Sequence, residues 1–212
     1  FSCGATTRRM RHINPNTANI PSGAKARYGH ECRALWGVTP DLDRVLVGYD
    51  ASGLETVGLL HYLNNPKATE ILLRPKPNDV HTANSRLLTE ALGREVDREW
   101  GAKTTWYAWL YGAYPPKLGS IVKGDKEDGE KIIEVFFKNV PGLQELIEEV
   151  RYEFTSNHGL LRTIDGGYVR CPSLNAALNY RIQSMGAIVM KVAAILLHEK
   201  LIEKGLWHMK TG

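Results

Sequence analysis

One stretch of the chain, residues 99–111, predicts a helix with two unlike faces. Lys103, Tyr107 and Tyr111 recur every four residues, and residues at that spacing share one face of a helix. The opposite face carries a compact apolar set, namely Trp106, Trp109 and Leu110. A helix with one such apolar face packs against the core on that side. The Lys-Tyr-Tyr face is therefore predicted to be open to a ligand.

The open face matches the chemical order of a nucleoside triphosphate. Its members are about 6 Å apart along the helix axis, and they present a cation followed by two phenols. A nucleoside triphosphate presents phosphates, sugar and base in the same order. The alternative is that both tyrosines are core residues, because aromatic side chains at helical spacing commonly face a core.

Composition is typical of a globular protein from a reducing compartment. Of the 212 residues 43% are hydrophobic, and a net charge of +4 permits a polyanionic partner without requiring one. The three cysteines are far apart and form no CxxC pair, which argues against a disulfide scaffold and a zinc site. No uncharged apolar run of about 18 residues occurs, so no membrane partner is expected. The chain starts at Phe1 rather than Met, and we expect a piece of a longer protein.

The remaining pattern predicts further helices, one strand and one hairpin. Helices are expected at 53–64, from Val80 to about Leu92, at 125–138, from Pro141 onward and at 174–204. The β-branched run 44–50 predicts a strand that ends in Asp50, and 159–168 predicts a hairpin with an Asp-Gly-Gly turn. Loops or breaks are expected at 1–40, at 65–78 and at Pro115-Pro116.

Asp50 is the first residue with the chemistry for a metal site. A carboxylate at a strand end, followed by small residues, suits a hard cation such as Mg²⁺. The alternative is a capping Asp before the helix at 53. Glu55, in the first helical turn, is by itself an ordinary surface acid favoured by the helix dipole.

Other polar residues allow a ligand role beside a plain surface role. His81 is either a phosphate contact or a surface histidine. A basic loop cluster suggests phosphodiester contacts or a solvated patch, and its members are Arg8, Arg9, Arg11 and His12. Asn179 and Gln183, one helical turn apart, are amides that read base edges or simply face solvent. No GxxxxGK[ST] loop precedes Lys103, which excludes a P-loop.

Seven segments stand in a fixed order along the chain. They are 6–21, 28–33, 50–55, 79–81, 103–112, 164–166 and 176–184. In that order they resemble the TGR…PNLQNIP, YGEQCR, first catalytic, DIH, K…Y…YG, LDG and later palm-helix segments of family A DNA polymerases, the bacterial polymerase I family. The resemblance is closest to the short-tailed phage branch and covers almost the whole chain.

The resemblance implies roles at the nucleotide. Asp50 and the carbonyl of Ala51 would bind the catalytic metals, two Mg²⁺ ions in the complete enzyme. Glu55 would close off the ribose 2′ position and accept a hydrogen bond from Tyr107. The triphosphate would be bound by three side chains, namely His81, Arg98 and Lys103, of which Lys103 is also catalytic.

The resemblance also implies roles at the nucleic acid. Tyr111 would lie beside the templating base. Primer–template contacts are expected from Arg9, His12, Asn179 and Gln183. The implied partners are primer–template DNA and deoxynucleoside triphosphates, and a processivity factor is a further partner that the resemblance admits.

Four departures from the family pattern stand out. Arg8 replaces the Gly that precedes the family's first Arg. Glu99 stands where the family has an Arg four residues before the helix lysine, and Arg98 comes one position earlier, so either Arg98 substitutes through a local shift or that contact is lost. Gly167 replaces the Arg of LDGR. The second catalytic segment, His-Asp-Glu, is not within the chain.

The resemblance implies an incomplete α+β fold: a polymerase palm, with an antiparallel sheet and helices, plus helical fingers. The expected division is palm at 1–62, fingers at 63–158 and palm again at 159–212. The expected activity is DNA-directed DNA polymerase in viral DNA replication, in the cytoplasm of a phage-infected bacterium.

Alone, the piece is expected to be inactive, because one carboxylate cannot hold both metals. Two alternatives stay open. One is a non-catalytic nucleic-acid-binding subunit, or a decayed or split polymerase. The other is a polymerase of the same fold that serves repair.

Overall fold

The chain is mostly helical around one small antiparallel sheet. A computed structural model describes residues 4–14, 16–21, 26–37 and 48–206. Strand β1 (Leu160–Arg162) pairs with β2 (Tyr168–Arg170), with Leu161 opposite Val169. This confirms the α+β prediction and the hairpin. The strand predicted at 44–50 lies largely outside the described residues, and its described end, 48–50, is not in a strand.

The helices follow one another with short connections. They are α1 (Gly29–Ala34), α2 (Leu54–Leu63), α3 (Pro66–Leu72), α4 (Val80–Leu92), α5 (Thr104–Leu110), α6 (Pro115–Ile121), α7 (Lys126–Asn139), α8 (Leu143–Ser156) and α9 (Ala177–Glu203). Short 3₁₀ turns cover Thr17–Asn19 and Leu174–Ala176, and a π-helical turn, Arg98–Lys103, leads directly into α5. The helices predicted from periodicity are therefore present, with shifts of up to three residues, and the first part of the helix predicted at 99–111 is the π-helical turn.

Two predicted breaks are in fact helices. Pro66 and Pro115 each occupy the first position of a helix, where the missing N–H would have no partner and the fixed φ suits the helix. The Asn65 side chain then caps α3 by accepting from the N–H groups of Lys67 and Ala68. The loop prediction for 1–40 likewise missed α1.

The predicted two-faced helix packs its apolar side against the core. Trp106 is wholly buried and meets the ring of Phe136 edge-on, with 5.1 Å between centroids. Trp109 lies 5.6 Å from the same ring, and Leu110 is buried beside them. This packing fixes the rotation of α5 about its axis, so its other side faces away from α7.

Helices α6 and α7 touch through their backbones. A Cβ added to Gly129 would lie 1.9 Å from the carbonyl oxygen of Pro115, and one added to Gly119 would lie 1.7 Å from that of Asp125. Only glycine permits such an approach. Arg94 adds an ion pair to Asp128 of α7 at 2.5 Å, which ties the end of α4 to the same unit.

A half-buried arginine joins the second half of the chain to α2. Arg181 of α9 forms ion pairs with Glu149 at 3.0 Å and Glu153 at 3.2 Å, both on α8. Its guanidinium also lies 4.9 Å from the ring centroid of Tyr62, at the end of α2. Burial raises the pKa of that Tyr62 phenol, so it stays neutral.

Within the described ranges, even α9 lacks the apolar length that a bilayer crossing requires.

Substitution of Gly129 by Ala should destabilise the fold. Helix propensity alone would favour Ala by about 1 kcal/mol, but the added methyl group would collide with the Pro115 carbonyl. We expect the free energy of unfolding, measured with urea, to fall by about 1–3 kcal/mol. Gly37→Ala is the matched control, because no atom lies within 4 Å of its added Cβ. Equal stability of the two variants would refute the backbone contact.

Candidate functional site

Asp50 and Ala51 lie just before α2, and Asp50 is exposed. The capping alternative for Asp50 is wrong, because the N-cap is Gly53 and no side chain caps this helix. The Asp50 carboxylate thus has no structural task at the helix start. One turn into α2, Glu55 lies half-buried on the side that faces α5.

The phenol that contacts Glu55 belongs to Tyr111. Tyr111 donates from its hydroxyl to Glu55 Oε1 at 3.2 Å. Burial and the neighbouring Glu55 carboxylate raise the pKa of Tyr111, whereas the Arg9 charge lowers it. The predicted Glu55–Tyr107 bond is therefore wrong in this structure. Tyr111 lies one turn further along α5, at the end that approaches the start of α2.

Tyr107 instead lies between two other rings on the same face. Its ring centroid is 5.7 Å from that of His81 and 6.4 Å from that of Tyr111. The Lys-Tyr-Tyr face is continuous as predicted, and His81 of α4 joins it from the side. The core alternative is not realised: Tyr111 is 45% exposed and Tyr107 only partly buried.

His81 is held in its neutral form. Burial disfavours the imidazolium, and the charges of Arg98 and Lys103 add to this, so the pKa of His81 falls to about 4 despite the nearby Asp79 carboxylate. Its Nδ1 is buried without a hydrogen-bond partner among the described residues. An unsatisfied buried nitrogen is rare, and it leaves a polar group free for a ligand.

Asp79 performs two tasks at the start of α4. Its Oδ1 caps the helix by accepting from the N–H of Thr82 at 2.9 Å, as predicted. Its Oδ2 accepts from the guanidinium of Arg98, which also donates to Thr82 Oγ1 at 3.1 Å. Partial burial acts to raise the pKa of Asp79, but the hydrogen bonds from Arg98 and Thr82 outweigh it and lower it to about 2.

The π-helical turn brings Arg98 into register with Lys103. The N–H of Ala102 donates to the Asp97 carbonyl five residues earlier, at 2.9 Å. The turn therefore contains one extra residue. Arg98 and Lys103 are five positions apart, and they lie on one face as residues four positions apart do in an α-helix. The carboxylate of Glu99 accepts a hydrogen bond from Lys103 at 3.0 Å and another from Arg98.

A cavity of about 330 Å³ opens next to Glu55. Arg9 and Gln183 both line it, and Leu54, Ile182 and Gly186 contribute to its apolar lining. Arg9 and Gln183, two of the predicted nucleic-acid contacts, thus line the same cavity as Glu55, which is predicted to face the sugar. Asn179, half-buried, lies one turn before Gln183 on the same face of α9.

His12 lies apart from this cavity. Its Nδ1 shares a short hydrogen bond with the hydroxyl of Thr17, within its own loop. Its predicted contact with nucleic acid stays a prediction.

The donor set at Asp50 fits one side of a Mg²⁺ site. Mg²⁺ prefers oxygen ligands, and it commonly takes one or two carboxylates together with substrate phosphates. The Asp50 carboxylate and the Ala51 carbonyl supply oxygens of that kind. Among the described residues no group of three or more His, Cys, Asp or Glu side chains could hold a metal ion.

Two supporting residues were not foreseen as parts of this site: Asp79 and Thr82. Both contact Arg98, which comes from a different helical element. The only available signal was the charge alternation at 97–99, where an arginine stands between two acids.

Comparisons with known proteins agree on one family. The profile of DNA polymerase family A matches residues 2–210. The DNA-directed DNA polymerase of Escherichia phage T7 is 35% identical over 232 aligned residues, which cover 99% of this chain and 31% of that protein. DNA polymerase I of Chloroflexus aurantiacus is 27% identical and is matched over 96% of this chain and 22% of its own length.

A solved structure shows the same fold. It is described as the POL domain of Pol1 from M. smegmatis in complex with DNA primer–template and dNTP. It superposes with a TM-score of 0.73 at 23% identity, over 96% of this chain and 38% of that chain. The chain thus spans between about a fifth and two fifths of the length of these relatives.

The low pKa of His81 has a consequence for stability. The unfolded chain takes up a proton at His81 near pH 6.5, whereas the folded chain does so only near pH 4. The free energy of unfolding should therefore fall as the pH is lowered through this window. Urea unfolding between pH 4 and 7 should show a shallower fall for His81→Gln. His61→Gln, at an exposed site on α2, is the control, and identical pH profiles for all three proteins would contradict the burial of His81.

Proposed function

The chain belongs to DNA polymerase family A, and from that premise we propose that it forms the palm-and-fingers part of a DNA-directed DNA polymerase. The proposed reaction is template-directed addition of deoxynucleoside triphosphates to a primer 3′-hydroxyl, in the replication of viral DNA in the cytoplasm of an infected bacterium. The longer polymerase that contains this chain would supply the second catalytic acid segment.

One observation carries the proposal. The cation–phenol face of the α5 region and the cavity beside Glu55 meet at a single hydrogen bond, from Tyr111 to Glu55. Lys103 lies two helical turns before Tyr111 on the same face, and Arg9 and Gln183 line the cavity together with Glu55. A nucleotide placed along the helix would therefore have its base beside the nucleic acid and its phosphates beside Lys103.

The cations at the proposed phosphate end are paired with carboxylates. Arg98 is paired with Asp79 and Glu99, and Lys103 with Glu99. We propose that a triphosphate takes over these two cations. The Asp79 bond holds Arg98 in place until then, and neutral His81 donates a hydrogen bond to the departing pyrophosphate rather than a charge.

Asp50 and the Ala51 carbonyl are the proposed ligands for Mg²⁺. Two Mg²⁺ ions, when bound, would favour attack of the primer hydroxyl and stabilise the departing phosphates. The chain's own residues orient the substrate: Glu55 closes the space beside the sugar 2′ position, and the aromatic face of α5 lies along the sugar and base.

The proposed division places 1–62 and 159–212 in the palm and 63–158 in the fingers. Helix α8 stands at the junction, because it packs against α9 and β1 and carries the Glu149 and Glu153 partners of Arg181.

The test of the function is primer extension by the longer polymerase. Template-directed extension is expected, with a loss of at least about 10³-fold for Asp50→Ala. Primer–template affinity should change little in that variant. DNA binding without any extension by the unsubstituted polymerase would favour the non-catalytic alternative.

Arg98 should contribute to triphosphate affinity, and Glu99 should not. A charge-assisted hydrogen bond is worth about 1.5–3 kcal/mol, so Arg98→Ala should weaken dNTP binding about tenfold or more in steady-state kinetics. Glu99→Ala, the matched neighbour, should leave dNTP affinity equal or stronger because a competing anion is removed. Weaker binding in Glu99→Ala than in Arg98→Ala would reject the proposed register of the π-helical turn.

Glu55 should govern sugar selectivity. Removing its carboxylate opens room for a 2′-hydroxyl, so Glu55→Ala should lower discrimination against ribonucleotides by at least about tenfold. The measurement is the ratio of kcat/KM for matched deoxy- and ribonucleotides. Tyr111→Phe keeps the ring but removes the donated hydrogen bond, and we expect a smaller loss of selectivity from it. Unchanged selectivity in Glu55→Ala would remove Glu55 from this role.

A further inference from the structure

Two departures from the family pattern lie side by side in the fold. Arg8 and Gly167 are two of the positions at which this sequence departs from the TGR and LDGR segments that it resembles. The first is in the N-terminal loop, and the second follows the turn between β1 and β2. Far apart in sequence, they meet in space.

The Arg8 guanidinium occupies the space of a side chain at position 167. Its Nη1 donates to Asp165 Oδ2 at 2.5 Å, and its Nη2 donates to the Tyr168 carbonyl at 3.4 Å. A Cβ added to Gly167 would lie 2.3 Å from that Nη2 and 3.2 Å from Cζ. A side chain at 167 would therefore require the Arg8 guanidinium to leave this position.

We propose that these two departures are one reciprocal exchange, in which the loop supplies the guanidinium that the hairpin lacks, and that Arg8 is a positioning residue for Arg9. The second part rests on the proposed function, since it concerns primer–template binding. The first part rests on the packing alone.

The backbone of Arg8 shows that its place is enforced. Its φ is +63°, a left-handed conformation that non-glycine residues adopt at an energetic cost. The acceptor is itself well anchored, because Asp165 Oδ1 accepts from the buried Thr163 hydroxyl and from the N–H of Gly167 at 3.2 Å. The Thr163 bond and Arg8 hold the pKa of Asp165 below its usual range, so the pair stays charged.

The anchor sets the direction of the next side chain. Thr6 donates to the Tyr180 hydroxyl at 3.2 Å, and Thr7 is buried, so the loop is held before Arg8 as well. Arg8 is held on the hairpin, whereas the next residue, Arg9, contacts a different part of the molecule. Arg9 lines the cavity with Glu55 and Gln183, close enough to lower the pKa of Tyr111.

The exchange is tested with three variants of the longer polymerase: Arg8→Gly, Gly167→Arg and the two together. Arg8→Gly loses the anchor, and Gly167→Arg displaces it. Each should weaken primer–template affinity about fivefold, and the combined variant should return to within about twofold of the unsubstituted protein. The same pattern is expected in melting temperature without DNA. A combined variant no better than the worse single variant would overturn the exchange.

The positioning role is tested by adding Arg9→Ala. If Arg8 acts through Arg9, Arg8→Gly weakens primer–template binding only while Arg9 is present, although its effect on melting persists. An equal loss in the Arg9→Ala background would overturn that role. Lys123→Gly is the matched control, because it too removes a cation with positive φ, at +58°, but away from the hairpin.

The melting series also separates this inference from the proposed function. A polymerase that does not bind primer–template at all would refute the proposed function and the role of Arg9 with it. The melting temperatures of the Arg8 and Gly167 variants would still decide whether the exchange exists.

Discussion

The burial of Trp106 against Phe136 is the contact on which the candidate site depends. An indole that is completely buried leaves α5 one possible rotation about its axis. Lys103, Tyr107 and Tyr111 must then face away from α7, towards α2 and the cavity. The Lys-Tyr-Tyr face is thus a consequence of packing. The tyrosines face away from the core because the tryptophans of the same helix pack against Phe136.

The charged side chains around that face are paired with one another. Asp79 and Glu99 hold Arg98 and Lys103, and the neighbouring His81 is neutral. Because each cation already has a carboxylate partner, a polyanionic ligand exchanges one partner for another rather than meeting bare charge. The free energy of binding is then the difference between the free energies of the two pairings, and it is smaller than that of either pairing alone.

The predictable parts of the structure are those with local signals. Periodicity and capping located α4 from Asp79 to Gly93, and the Asp-Gly-Gly turn located the hairpin. The partner of Glu55 could not be obtained this way, because the choice between Tyr107 and Tyr111 depends on where α2 and α5 approach each other. Nor does residue spacing indicate a π-helical turn. The alignment of Arg98 with Lys103 follows from the backbone hydrogen bonds of that turn and not from residue spacing.

The glycine contact between α6 and α7 makes these helices a single stiff body. Two backbones in direct contact have no side chains between them that could repack, so they cannot slide independently. The Arg94–Asp128 pair binds the end of α4 to that body, and the buried tryptophans bind α5 to it. A rotation of this body as a unit would therefore move α7 together with α5. A spectroscopic label on the outer surface of α7 would thus report movements of the Lys-Tyr-Tyr face.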